Sequence, residues 1–317
     1  MNWIEAYGSE IEAVFAHAAA DAARFPAPFD RMGQALLAGC NPLNGREGTN
    51  MICFLLPCWL KEETGSPEAL CRDLAAGNVF AMLHYFLLDD VMDGDAGPLA
   101  LEARDALALG QLCHGVFRDY YGRYFDRESP LWPYDRRYLE EWAAAVSEER
   151  RRPADPRDPV RLARKSAPIK LCAAGMLILA GRLDRLPVIA EAIELVLATL
   201  QLSDDWADWR DDLAGAQANA FLALAREGTG LAPHEPLDER RVRQAIYRER
   251  ALDRLADIVR TYGERLRCLP GAPVPLLEFH EAMHQGLLRD AAAAEEMVMS
   301  LATEGGFAYY LSNQVKK

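Results

Sequence analysis

The sequence predicts an all-α chain, and three observations predict it. Apolar residues recur at three- and four-residue spacing through most of the length. Cap residues and prolines open those runs, and glycine–proline clusters close them. No sustained alternation of apolar and polar residues marks a strand. No internal repeat or low-complexity linker divides the 317 residues, so a single helical domain over 1–317 is the expectation.

The elements follow in order. The first helical pattern covers residues 2–20. Ser66-Pro67-Glu68 is an N-terminal signature, a cap residue followed by proline in the first turn. The helix it opens carries Val79, Phe80, Leu83, Phe86 and Leu87 at helical spacing to Asp93, and Gly94-Asp95-Ala96-Gly97-Pro98 ends it. Further helices fit 99–128 and 134–151. Asp158-Pro159 starts another, bearing Arg161, Arg164, Lys165 and Lys170. Pro168 interrupts that pattern and frees a backbone carbonyl about one turn earlier, near Arg164. Pro187 begins a segment rich in Ile, Leu and Val that ends in a cluster of aspartates. Helices over 237–267 and 273–303 complete the pattern, with breaks at Gly228-Thr229-Gly230 and Pro270-Gly271-Ala272-Pro273.

Half of the residues are hydrophobic, enough for a substantial core, and the net charge is −13. No basic run accompanies it, which argues against nucleic-acid binding. The seven cysteines are odd in number and form no Cys-x-x-Cys pair, so reduced thiols in a cytoplasmic protein are expected. Met1-Asn2-Trp3-Ile4-Glu5 lacks the basic start and apolar run of a signal peptide. No uncharged apolar stretch reads as long enough to span a bilayer, so no stable membrane insertion is expected.

Two clusters carry the chemistry. Asp89-Asp90-Val91-Met92-Asp93 and Asp204-Asp205-Trp206-Ala207-Asp208 share the form Asp-Asp-x-x-Asp. On a helix, residues three and four apart share a face, so each cluster is expected to point its carboxylates one way. Gln201, Asp204, Asp205, Asp208 and Asp212 extend the second into a polar stripe. Like charges on one face repel, but divalent cations between them turn the arrangement to use, and Mg2+ bridges carboxylates to substrate phosphates. Apolar turns precede both clusters: Met82, Leu83, Tyr85, Phe86 and Leu87 in one case, Ile193, Leu195, Val196, Leu197 and Leu200 in the other. Acid above hydrocarbon suits a ligand with a diphosphate head and an apolar tail. Arg164 and Lys165 beside the Pro168 kink would place positive charge near such a head.

In the order and approximate spacing of these elements over 80–215, the chain resembles the isoprenoid synthase superfamily, the polyprenyl diphosphate synthases and class I terpene synthases. Asp89–Asp93 resembles that family's first Asp-rich motif, and Gln201-x-x-Asp204-Asp205-x-x-Asp208 its second. Lys165-Ser166-Ala167 resembles its diphosphate-contacting Lys-Thr-Ala/Gly element, and Ala180-Gly181 falls where an Ala-Gly pair usually follows. The resemblance implies a helical bundle around a deep apolar cavity, with three Mg2+ ions held by Asp89, Asp90, Asp93, Asp204, Asp205 and Asp208; Asp212 extends that set. It implies diphosphate contacts from Arg164, Lys165, Lys170 and Gln201, and a cavity wall including Phe80, Tyr85, Phe86 and Trp206. It also implies a prenyl diphosphate substrate, C15 or C20, and a homodimer.

The departures point to the reaction. Chain-elongating members carry Gly-Lys-x-x-Arg-Pro near the amino terminus, where this chain has Asn44-Gly45-Arg46-Glu47-Gly48-Thr49-Asn50. Their Arg-Arg-Gly after the first motif is missing, as is the Gly-Lys after the second, where Trp209-Arg210-Asp211-Asp212-Leu213 stands. Elements for the allylic diphosphate are kept and those for isopentenyl diphosphate eroded. That favours a terpene synthase, which ionises one prenyl diphosphate and cyclises or rearranges it. The Asn-Ser-Glu form of the second metal motif, usual in many bacterial cyclases, is not present. An elongating polyprenyl diphosphate synthase using isopentenyl diphosphate is the alternative, and a non-catalytic partner subunit a more remote one. His280-Glu281-Ala282-Met283-His284 also spells the zinc-protease motif, with Glu304 as a third ligand. It lacks the strand-rich platform such proteases use, and a polar helix face is the plainer expectation. Asp89–Asp95 does not fit the spacing of a calcium loop.

Overall fold

In the computed structural model the described residues are 3–44, 50–94, 97, 99–149, 155–231 and 235–300, and among them every regular element is helical. Of the expectations above, Gly45–Thr49, Asp95, Ala96, Pro98 and Glu304 lie outside the described residues. The chain divides into two compact units, Met1–Tyr138 with Pro168–Ala190, and Leu139–Ala167 with Glu191–Lys317.

The first unit contains α1 (Trp3–Ala22), α2 (Phe29–Cys40), α3 (Met51–Trp59), α4 (Lys61–Thr64), α5 (Glu68–Asp93) and α6 (Ala103–Gly122). It also takes the start of α7 (Leu131–Glu149), which continues into the second unit; α8 (Pro159–Ala163) belongs to the second unit and α9 (Lys170–Leu179) to the first. Likewise α10 (Leu186–Ala207) begins in the first unit and ends in the second, followed there by α11 (Trp209–Gly215), α12 (Ala220–Thr229), α13 (Glu239–Tyr247), α14 (Ala251–Cys268) and α15 (Val274–Ser300).

In the first unit α5 is the central element, packed by α1, α3 and α6. It starts after Pro67 and stops at Gly94, whose φ of 76° is the left-handed conformation that ends helices and that glycine adopts without strain. Leu74, Val79, Phe80 and Leu83 are buried along it. Gly77 lets α6 approach closely, because a Cβ there would lie 3.0 Å from the Cβ of Tyr120. In the second unit α14 and α15 pair through an apolar seam that includes Leu255, Val259, Leu276 and Phe279.

Three expectations need correction. The helix expected over 237–267 is two helices, because Arg250 takes φ 53° between them and bonds Asp253 through Nε and Nη2 at 3.1 and 3.0 Å. α3 was not anticipated: eight of its nine residues are buried, so it has no polar face and no readable period. Finally, Leu183–Ala207 is long and apolar enough to cross a membrane by length and composition. Its most apolar window is 61% buried within the protein, and Glu191 and Glu194 interrupt its charge-free run, which is the pattern of a core helix.

Candidate functional site

Within the first unit, the last four turns of α5 form a graded face. A helix turns ~100° per residue, so Asn78, Met82, Phe86, Asp89 and Asp93 lie within about one third of its circumference. Asn78 and Met82 are buried, Phe86 is 37% exposed, and Asp89 and Asp93 are exposed. Apolar surface at Phe86 is thus left uncovered one turn below Asp89 and about two below Asp93. Tyr85 borders this face, half-buried, and burial raises its phenol pKa. Phe80 lies on the opposite side, fully buried, with its ring 6.2 Å from Phe25.

Asp90 lies at the edge of that face, about 100° from Asp89 but only about 60° from Asp93, and its carboxylate approaches Gly97: a Cβ on Gly97 would sit 2.2 Å from Asp90 Oδ2. Gly97 also has φ 58°, so glycine is required there twice over. Asp90 lines a pocket of about 280 Å3 with Leu36, Leu87, Val91 and Leu99, all in the first unit.

Within the second unit the middle aspartate of the other motif is the most buried of the three. Asp208 is exposed and Asp204 half-buried, four residues apart on one side of the end of α10. Asp205 is buried, at 6% exposure. Its Oδ2 accepts from the Ala220 amide at 2.7 Å and its Oδ1 from Gln201 Nε2 at 2.8 Å. Burial pushes its pKa up to about 6, against the pull of those bonds and of the nearby Lys165 ammonium. Asn219 Nδ2 donates to the Asp205 carbonyl and to Asp212 Oδ2, both at 2.7 Å, while its Oδ1 caps α12 by accepting from Leu222 N at 2.8 Å. Trp206 is held by a 2.9 Å bond from Nε1 to Asp290 and by an edge contact with Phe221, ring centres 5.0 Å apart. Of the two clusters, the second departs from the expectation that all carboxylates point one way: Asp205 is buried against the start of α12, whereas Asp90 is half-buried to the same degree as Asp204.

Pro168 produces the expected interruption. Arg164–Ile169 is a 3-10 segment in which Ser166 leaves helical geometry, with φ −113° and ψ 18°. Arg164 is exposed and Lys165 half-buried there, in the same unit as the second motif. Lys170 is elsewhere: it is buried in the first unit, with Nζ 4.7 Å from the centre of the Tyr138 ring.

Among the described residues no group of three or more His, Cys, Asp or Glu side chains is placed to hold a metal ion. Two oxygen donors are nevertheless what Mg2+ commonly takes from protein, the rest coming from phosphate and water. The pairs Asp89/Asp93 and Asp204/Asp208 each offer that number of carboxylates, whereas Asp205 is buried with both oxygens bonded.

Among the described residues the zinc motif gathers no group of three metal ligands. His280 and His284 are buried, their ring centres 6.4 Å apart, and His280 Nε2 is buried without a hydrogen-bond partner. Glu281 is turned to Gln285 and Arg267, at 2.8 and 3.5 Å. Sequence reading missed Asn219, although an asparagine before Ala220-Phe221-Leu222 is a helix-start signal. It also missed His84 and His114, whose rings lie 4.9 Å apart between α5 and α6; His84 Nδ1 is 2.9 Å from the Gly110 carbonyl. Burial lowers both imidazole pKa values.

No protein-family model matches the chain, and no curated protein matches it.

Proposed function

We propose that this chain is a class I terpene synthase of the isoprenoid-synthase fold, which ionises a C15 or C20 prenyl diphosphate, cyclises or rearranges the resulting allylic cation and releases diphosphate. The observation that carries this reading is the graded face of α5. It runs from buried Met82 through half-uncovered Phe86 to the exposed carboxylates Asp89 and Asp93. The end of α10 supports it with a second outward pair, Asp204 and Asp208, in the same unit as Arg164 and Lys165.

In this reading Asp89 with Asp93, and Asp204 with Asp208, would hold Mg2+, which would supply Lewis-acid stabilisation of the leaving diphosphate. Arg164 and Lys165, in the unit of Asp204 and Asp208, would add positive charge for the diphosphate. Met82 and Phe86 present apolar surface to the prenyl chain and keep water from the cation. The C–O bond breaks, its electron pair leaves with the diphosphate, and the folded chain closes on the cation.

The test is incubation with Mg2+ and geranyl, farnesyl, geranylgeranyl or geranylfarnesyl diphosphate, with and without isopentenyl diphosphate, followed by mass spectrometry of organic and phosphatase-treated fractions. A hydrocarbon or terpene alcohol from one diphosphate alone, lost in EDTA, is the expected result. Longer prenyl alcohols appearing only with isopentenyl diphosphate would replace this reading with chain elongation. Silence throughout would reject it.

A further inference from the structure

We infer that Asp205 is a positioning residue and not a metal ligand: it clasps the start of α12 to the end of α10, and so fixes the helix end from which Asp204 and Asp208 project. The role assigned to Asp204 and Asp208 rests on the function proposed above; the clasp does not.

The geometry argues for the clasp directly. Asp205 is buried, and one oxygen takes the Ala220 amide at 2.7 Å while the other takes Gln201 Nε2 at 2.8 Å. A carboxylate already accepting from two protein donors at this burial has little left to offer a cation, and pulling it out would strand a buried amide. The amide in question belongs to the first residue of α12, a helix terminus whose free N–H groups favour a negative partner. Asn219 completes the joint. It is 3% exposed, caps α12 through Oδ1, and ties the Asp205 carbonyl to the Asp212 carboxylate through Nδ2. Thus Asp212, too, is engaged by the start of α12.

This arrangement explains an odd economy. α10 ends at Ala207 and α11 starts at Trp209, so Asp204 and Asp208 stand at a helix end that would fray without support. The bonds from Asp205, Asn219 and Gln201 supply that support behind the pair. A functional aspartate pair held by a buried third aspartate then needs no ligand role for the third.

The donor pattern yields a specific test. Both partners of Asp205 are donors, so Asp205→Asn must point its NH2 at one of them and break that bond. Adding Gln201→Glu restores complementarity, because the new carboxylate accepts from that NH2 while the asparagine oxygen still accepts from Ala220 N. The full chain and its Asp205→Asn, Asp208→Asn and Asp205→Asn/Gln201→Glu variants would be compared by hydrogen exchange over 219–222 and by Mn2+ titration. Asp205→Asn should lower protection over that peptide by about tenfold or more and weaken Mn2+ binding through the loosened helix end; the double variant should recover both. Asp208→Asn should weaken Mn2+ binding by about tenfold or more with protection unchanged.

Unchanged protection in Asp205→Asn overturns the clasp. Protection recovered in the double variant without recovery of Mn2+ binding makes Asp205 a ligand after all. If the unaltered chain binds no Mn2+, the proposed function loses its metal site, and the exchange result still decides the clasp.

Discussion

The end of α5 and the end of α10 carry the same five-residue pattern in different surroundings. At the end of α5 Asp89 and Asp93 are exposed and Asp90 half-buried; at the end of α10 Asp208 is exposed, Asp204 half-buried and Asp205 buried. Asp90 rests against a loop glycine, whereas Asp205 is bound to a helix start. The pattern itself therefore does not assign roles. What packs beside the middle aspartate decides how deeply it is buried and how firmly it is held.

The largest expected effect comes from the exposed pair on α5. Asp89→Ala/Asp93→Ala should lower diphosphate release from the prenyl substrate by about 1000-fold or more, since the groups act on the transition state. Because both side chains are exposed, the melting temperature should barely move. Near-normal release in this variant would break the comparison by removing the function assigned to the outward pairs.

A second experiment extends the lesson to the histidine motif on α15, where burial also overrides a chemical signature. Burial lowers the His280 pKa from 6.5 to about 4, with the charge of His284 acting in the same direction. The folded state thus resists protonation while the unfolded chain accepts it. Stability present above pH 6.5 should fall as the pH drops toward 4, by up to about 3 kcal/mol from this residue. Denaturant titrations of the unaltered chain and His280→Gln across that range should show a shallower slope in the variant. Equal slopes would mean that His280 is not a buried neutral imidazole.

The remaining two predictions measure how tightly each middle aspartate's surroundings are built. Asn219→Ala removes the cap of α12 and both tethers at the end of α10, and should cost about 2–3 kcal/mol in chemical denaturation. Gly97→Ala imposes a left-handed alanine and crowds the Asp90 carboxylate, which can swing aside; it should cost about 1–2 kcal/mol. A larger loss for Gly97→Ala than for Asn219→Ala would reverse the ranking of the two joints.

Much of this was legible before any coordinates. The periodicity of α5, its Pro67 start and Gly94 stop, the kink at Pro168 and the two aspartate patterns are local, and local rules of spacing and backbone conformation predict them. What local rules cannot carry is where a side chain ends up once helices pack. Asp90 and Asp205 are identical to their neighbours in sequence and differ from them in burial. Lys170 and Phe80 sit at plausible site positions and are buried against Tyr138 and Phe25. The span Leu183–Ala207 has membrane-like composition and is mostly covered by protein. In each case the deciding quantity is burial and the partner met there. Both arise from residues far apart in the chain, as when the Ala220 amide reaches Asp205, and no short window of sequence contains both halves of that bond.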